Sequence, residues 1–406
     1  MRILQIIPSI SLVYGGPSQM VIGLSAALAF QGIDVTIITT DSNGDIGQPP
    51  LDVPLNQPIK QNGYQIIYFR CSPWRRYKFS LSLLQWLNEN AGQFDLAHIH
   101  ALFSPVTTLA ATIARYHKLP YIMRPCGMLD PADLQKKKRL KQIYAAVLER
   151  PNLAGAAAIH FTSKEEAKIS ERFGLDCTGK IPVARDLVIP LGVTAGFFPK
   201  RLRESQVPII LFMSRIEPKK GLDLLITALE SILASGISFK FILAGSNPQD
   251  AGYETRIKVQ IQNSILAQYT TITGFVSGDL KSELLTNADL FVLPSYYENF
   301  GIAVAEAMAA GVPVAISDRI HIAEDIQQAE AGWVEPLEVG AIANSIKSAL
   351  LNPQERQRRG LNGQEYAKKH YNWEAIAQQT IDAYQEILSS IAERRRKKEE
   401  GRRKKQ

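Results

Sequence analysis

The chain has 406 residues, 46% hydrophobic and 21% charged, which excludes a largely disordered polymer and supplies apolar material for more than one core. Its net charge of +7 sits in one place: residues 394–406, RRRKKEEGRRKKQ, carry nine Lys/Arg and two Glu, leaving 37 basic and 37 acidic residues in 1–393. That neutral body argues against a basic nucleic-acid-binding domain, and three ungrouped cysteines (Cys71, Cys126, Cys177) argue against a disulfide framework or a Cys-based metal site and fit a reducing cytosol.

Taken in chain order, RILQII (2–7) reads as a buried strand. Its apolar run is short, broken by Gln5 and Pro8, and followed by no small-residue cleavage site, unlike a signal peptide. Gly15-Gly16-Pro17 then opens a helical run to Gln31, Gly32 suits its C-terminal cap, and IDVTIITT (33–40) follows as a strand. This βαβ pattern implies a parallel sheet. The amides of Gly15 and Gly16 can face a phosphate or an acceptor, but tight turns need glycine for their own sake. Residues 43–63, rich in Gly and Pro, read as a loop. Further strands are expected at 64–70, 95–100, 120–125, 157–162 and 187–190, with helices between most of them.

Several polar groups stand out in this half. In DLAHIHALFSP (95–105), alternation of His98 and His100 across the strand would point them to opposite faces and disfavour joint metal chelation, so His98 is read as structural. In YIMRPCGMLDP (121–131), Arg124 and Gly127 follow a strand. Arg124 can bind an anionic acceptor or a phosphate, or can pair with a local carboxylate, while Asp130 suits a helix cap. Lys136, Lys137, Lys138, Arg139 and Lys141 lie on an expected helix, and Trp74, Arg75, Arg76, Tyr77 and Lys78 form a second basic-aromatic cluster. Such segments bind anionic lipid headgroups or are solvated charged faces. In IHFTSKEEA, Ser163 followed by Glu166 is a capping box, which gives His160 and Glu166 a structural reading.

The stretch LGVTAGFFPKRLRESQ (191–206) reads as a linker, and a second alternating series follows it. Its strands are PIILFMS (208–214), FKFILAG (239–245), TTITG (270–274), DLFVLPS (289–295) and VPVAIS (312–317). Two doubly wound α/β halves result, and ligands in such sheets bind beyond the C-terminal strand ends, so a site between the halves is expected. From Trp373 the apolar positions Ile376, Ala377, Ile381, Tyr384, Ile387, Leu388 and Ile391 make the stripe of a last helix. No run of about 18 apolar residues exists that could cross a membrane.

Two motifs in the second half carry the strongest chemistry. In MSRIEPKKGLDLLITAL (213–229), Arg215, Lys219 and Lys220 at a strand end suit a diphosphate, or form an ordinary solvated basic turn. In PSYYENFGIAVAEAMAAGVPVAIS (294–317), a loop with Glu298 and Gly301 leads into a helix that carries Glu306. Backbone amides near Phe300, Gly301 and Ile302 are then free at a helix N-terminus, which favours an anion, and Gly301 permits close approach to the backbone. Glu298 can accept from sugar hydroxyls and Glu306 from a ribose diol. The alternative is two solvated glutamates beside a strand–helix turn.

The second motif resembles the E-x7-E signature of retaining glycosyltransferases with the GT-B fold, family 4 ("group 1"), through Glu298 and Glu306, the flanking PS and NFG, and EAMAAGVPV. The first resembles the same family's S-R-x-x-x-x-K-G-L-D pattern, and the resemblance covers about residues 1–390. It implies an α/β GT-B architecture of two Rossmann-like domains facing across a cleft: 1–195 on the acceptor side, 205–370 for the nucleotide-sugar donor, a helix at 371–393 returning to the first domain, and a disordered basic tail at 394–406. It further implies that Arg215 and Lys220 hold the donor pyrophosphate, with Lys219 the weaker candidate. Gly15 and Gly16 match the first βα loop, and His100 matches a His close to the transferred sugar, with Ala101 in place of the usual Gly. Arg124 and Gly127 match an R-P-x-G-x-L-D-P run of one subset. After VPVAIS, DRIHIAEDI (318–326) departs from the Gly-Gly turn of many relatives.

The activity implied is transfer of a sugar, with retention, from a nucleoside-diphosphate donor to a glycan or lipid-linked acceptor in cell-surface polysaccharide or glycolipid synthesis. A front-face mechanism assisted by the donor phosphate is expected. No metal is expected, because no Asp-x-Asp signature is found, and no cofactor beyond the donor. The expected location is the cytoplasm, peripheral on the inner membrane face through Lys136–Arg139 and the tail, with no nucleic-acid partner. Rival readings are a catalytically silent sugar-nucleotide-binding subunit, a GT-B-fold nucleotide-sugar epimerase, and a phosphorylase. The paired glutamates and cations disfavour the epimerase, and pyridoxal-phosphate phosphorylases are much longer.

Overall fold

The computed structural model describes residues 1–44, 48–72, 78–135, 138–171, 173, 185–193 and 207–404. Trp74, Arg75, Arg76, Tyr77, Lys136, Lys137, Cys177 and the linker 194–206 lie outside the described residues. The chain forms two compact units, Met1–Gly192 with Trp373–Gln406, and Val193–Asn372.

Unit 1 holds an eight-stranded sheet. Its strands are β1 (Arg2–Ile6), β2 (Asp34–Thr40), β3 (Pro58–Gln61), β4 (Tyr64–Phe69), β5 (Leu96–His100), β6 (Tyr121–Arg124), β7 (Ala158–Phe161) and β8 (Arg185–Val188), in the order β3-β4-β2-β1-β5-β6-β7-β8. All neighbours are parallel except β3 and β4. β3 lies inside the stretch expected to be loop; its residues are mostly exposed, so no apolar alternation marks it. The buried strands are mostly apolar along their length, as parallel strands covered on both faces require, with Gln5, His98, His100, Arg124 and His160 among the exceptions.

Unit 2 holds a six-stranded, all-parallel sheet. Its strands are β9 (Ile209–Met213), β10 (Lys240–Ala244), β11 (Thr270–Gly274), β12 (Leu290–Leu293), β13 (Val314–Ser317) and β14 (Gly332–Glu335), in the order β11-β10-β9-β12-β13-β14. The strand β14 is four residues long with a Trp and a Glu half-buried, which leaves little periodic signal.

Each sheet reverses its direction of growth once. In unit 1 the chain builds outward from β1 through β2, then restarts on the other side at β5; in unit 2 it does the same from β9 through β10 and restarts at β12. These switch points open crevices beyond the C-terminal ends of the two flanking strands, where α/β sheets bind ligands.

The helix Trp373–Arg403 belongs to unit 1 and packs along the helix Gly16–Phe30. Its buried face is Ile376, Ala377, Thr380, Ile381, Ala383, Tyr384 and Ile387. Trp373 fixes its start: a Cβ on Gly23 or on Gly192 would stand 2.2 Å from the indole, so only glycine fits at either position. The basic run expected to be disordered instead continues this helix to Arg403. Lys and Arg are good helix formers, and the pairs Lys397–Glu393 and Arg396–Glu400, four residues apart, lie along one face. Among the described residues no helix is long and apolar enough to cross a membrane.

Candidate active site

Most of the residues singled out from sequence fall at the two switch points, and Arg124 and Gly127 fall at the end of the next strand, β6. Arg215 and Lys220 follow β9, while Glu298, Phe300, Gly301, Ile302 and Glu306 follow β12, all in unit 2. Gly15 and Gly16 follow β1, His100 ends β5, and Arg124 and Gly127 lie at and beyond the end of β6, all in unit 1.

In unit 2 a short 3-10 turn, Pro218–Lys220, is closed by Gly221 in the left-handed region (φ 68°). A Cβ there would lie 2.0 Å from the carbonyl oxygen of Pro294, so glycine lets the β9 turn press against the end of β12. Tyr296 N–H donates to the carbonyl of Lys219 at 2.8 Å across the same contact. The result is an ion pair between Lys220 and Glu298, both largely buried. Burial pushes the Lys220 ammonium below its ordinary value against the pull of Glu298. Burial also pushes the Glu298 carboxyl up, but the charges of Lys220, Lys219 and Arg215 outweigh it and hold the carboxylate low. Arg215 and Lys219 flank Glu217 at 3.3 and 3.5 Å and keep more than a third of their side chains exposed. Three cations therefore meet two carboxylates here, and Arg215 and Lys219 are the more exposed of the three.

Gly301 (φ 82°) caps the helix Ile302–Ala309. The amides of Phe300, Gly301 and Ile302 donate to no acceptor among the described residues. The Phe300 ring is buried 5.3 Å from Tyr371, so only its backbone is available to a ligand. Glu306 pairs with Lys281, a residue that sequence reasoning passed over because one Lys on a helix gives no signal. Burial raises the Glu306 carboxyl, opposed by Lys281. The divergent segment after β13 closes on the first glutamate: Glu298 N–H donates to the Arg319 carbonyl at 3.3 Å, and His321 N–H to the Glu298 carbonyl at 3.1 Å. On the far side of the Lys219 turn, Pro218, Lys219, Asp223, Tyr253 and Tyr296 line a cavity of about 440 Å³.

In unit 1, Gly15 (φ 71°) precedes the helix that Gly16 begins. Gly127 (φ 79°) spends its amide on Glu166 at 3.1 Å, and the same carboxylate accepts from Thr162 N–H at 2.7 Å. Glu166 thus joins two loops, in keeping with a structural reading, and Gly127 has no amide left for an acceptor. Arg124 is 3% exposed, lies against Met20 Sδ, and forms no ion pair among the described residues; its Nε has no partner. The carboxylate partner weighed from sequence is absent there.

The two strand histidines do not point apart. Residues two positions apart in a strand share a face, and the His98 and His100 rings stack with centroids 4.5 Å apart. Both are fully buried and joined by His160. Burial holds all three far below the ordinary histidine value; Arg124 and neighbouring imidazoles add to it for His98 and His100, and Arg124 adds to it for His160, which falls to about 3. Gln5 and Tyr384 complete the cluster. The sequence marks Gln5 only as a break in an apolar strand and Tyr384 only as one position of an apolar helix stripe, neither as a site residue.

Comparison with known proteins agrees with the two-sheet architecture. Residues 15–192 match the glycosyl transferase 4-like domain, and residues 196–366 match glycosyl transferases group 1. The phosphatidyl-myo-inositol mannosyltransferase of Mycobacterium leprae is 25% identical over 402 residues, covering 96% of this chain and 98% of that protein. Among solved structures, sucrose-phosphate synthase of Thermosynechococcus elongatus superposes with a TM-score of 0.74 at 22% identity, covering 96% of this chain and all of that one. Anabaena HepE in complex with UDP-glucose gives a TM-score of 0.72 at 19% identity, covering 96% of this chain and all of that one.

Proposed function

The chain belongs to the group 1 glycosyltransferases and has their GT-B fold, and we propose that it moves a sugar, with retention of anomeric configuration, from a nucleoside-diphosphate donor to a glycan or lipid-linked acceptor. The observation that carries this reading is the unit 2 switch point. A buried Lys220–Glu298 pair, two exposed cations, and a glycine-capped helix with unspent amides all lie beyond the ends of β9 and β12. Arg215 and Lys220 take the diphosphate, the amides at Gly301 and Ile302 add donors, and Glu306 takes the ribose diol. As the glycosidic bond breaks, negative charge grows on the leaving phosphate, and fixed cations and amides stabilise it without a metal. Diphosphate binding would draw Lys220 toward the phosphate and free Glu298 for sugar hydroxyls. Gly15, Gly16 and His100 serve the donor from unit 1, and Arg124, which forms no ion pair among the described residues, offers its Nε beside His100. The HepE complex with UDP-glucose favours a uridine donor as the first to try.

A panel of UDP-, GDP- and ADP-sugars tests this. We expect donor-dependent release of nucleoside diphosphate with at least one of them, and ligand-induced rises in melting temperature. No release and no shift with any donor would reject the reading.

The acceptor side includes a membrane surface. Lys138 and Arg139 lie on the helix Lys138–Tyr144, and Leu140 and Ile143 on it, with Val147 in the π-helical segment Ala145–Glu149 that follows, are each more than 60% exposed and form an apolar stripe. Exposed apolar residues beside cations are suited to lie in an anionic lipid interface. Lys141, by contrast, is held by Asp133 at 2.8 Å.

A further inference from the structure

The buried polar cluster of unit 1 has a direction. The sugar-transfer reading gives His100 a place near the donor but does not use His98, His160, Gln5 or Tyr384, all of which are buried in an otherwise apolar sheet region. Every hydrogen in the cluster can be assigned from one end. A carbonyl oxygen only accepts, so His160 Nε2, 3.0 Å from the carbonyl of Ile189, carries its proton and donates. His160 is held neutral by burial, so its Nδ1 is a lone pair. His98 Nε2, 3.2 Å from that lone pair, must donate to it. His98 is neutral for the same reason, so its Nδ1 accepts, and the donor is the Tyr384 hydroxyl at 2.8 Å. The Tyr384 oxygen, its own hydrogen used, accepts from Gln5 Nε2 at 3.4 Å. That fixes the Gln5 amide with Oε1 toward His100, where it accepts from His100 Nε2 at 2.6 Å. His100 Nδ1 is then a lone pair, and among the described residues it is the one ring nitrogen of these three histidines left without a partner.

We infer that Gln5, His98, His160 and Tyr384 are positioning residues which lock His100 in the Nε2–H tautomer and so present its Nδ1 as a hydrogen-bond acceptor for a ligand hydroxyl at the C-terminal end of β5. This rests on the sugar-transfer reading for the identity of that hydroxyl, not for the tautomer. Strand pairing sets His100 opposite Arg124, whose Nε is a buried donor with no partner among the described residues. An unfilled acceptor and an unfilled donor on paired residues suit hydroxyls, which donate to one and accept from the other; an anion could satisfy Arg124 but not His100. The helix Trp373–Arg403 takes part, because Tyr384 crosses from it to His98 and holds the Gln5 amide the right way round.

Nitrogen-15 spectra of the full chain labelled at histidine read the tautomers directly, with the His100 signals identified by their loss in His100→Gln. We expect all three buried histidines to be neutral and protonated at Nε2. A His100 protonated at Nδ1 would overturn the assignment, and this wild-type spectrum decides even if variants fold poorly. Tyr384→Phe removes one hydroxyl, frees the Gln5 amide to turn, and should give His100 mixed tautomers. It should also lower kcat/KM roughly three- to tenfold, the scale of one hydrogen bond. Unchanged tautomers and unchanged kcat/KM in Tyr384→Phe would contradict the proposal. If wild-type protein turned over no donor, the function would be rejected while the spectrum still tested the relay.

Discussion

At the scale of single residues, the three buried histidines make acid sensitivity a property of unit 1. Their folded pKa values lie below the unfolded value, so below about pH 6.5 the unfolded chain binds protons that the native state refuses. Stability is therefore lost as pH falls through about 6.5, by up to about 1.4 kcal/mol per pH unit for each histidine. Glu149 and Glu306, whose carboxyls burial pushes up, act in the opposite sense and soften this loss. Denaturant unfolding at pH 7.5 and 5.5 should show a clear loss at the lower value; equal stability would contradict the buried neutral assignment. A second residue-scale expectation concerns Gly221. Gly221→Ala must place a Cβ 2.0 Å from the Pro294 carbonyl with φ at 68°, and should destabilise the protein by about 2 kcal/mol or more, read as a fall in melting temperature. The motif residues were legible because their types and spacing carry the chemistry. The His98–His100–His160 cluster was not, because nothing local in the sequence indicates that β5, β7 and the last helix converge.

At the scale of elements, the helix Trp373–Arg403 divides in two. Its buried face ends near Ile387, and Arg394 to Arg403 are all exposed. Deleting 394–406 should change the melting temperature little and leave turnover on a water-soluble acceptor intact. The same deletion, or Ile143→Asp on the exposed stripe, should weaken co-sedimentation with vesicles containing acidic lipids. Intact protein that stays in the supernatant at low salt would reject the membrane surface. Composition suggested disorder for this tail because its charge is high and its apolar content nil, a rule that overlooks how four-residue Glu–Lys and Glu–Arg spacing supports a helix on an existing one. The strands β3 and β14 escaped sequence reasoning for a related reason: they are short, edge-placed and only partly buried, so neither alternation nor an apolar run marks them.

At the scale of the whole molecule, a charge-balanced body carries two largely parallel sheets, each with candidate site residues at its switch point. The alternation of apolar runs with helical periods was enough to read that architecture, since βα repetition forces parallel sheets. Lys220 and Arg215 illustrate why their variants must be read differently. Lys220→Ala leaves Glu298 buried and unpaired, which should cost about 3–5 kcal/mol in stability along with any chemistry. Arg215, 40% exposed and only loosely paired with Glu217, can be removed with the fold intact. The most direct test is thus the turnover of a nucleoside-diphosphate sugar by Arg215→Ala beside the wild type, with equal melting temperatures as the control. Loss of a cation that stabilises the leaving diphosphate should lower kcat by about 100-fold; the same kcat in both proteins would contradict the assignment of this site.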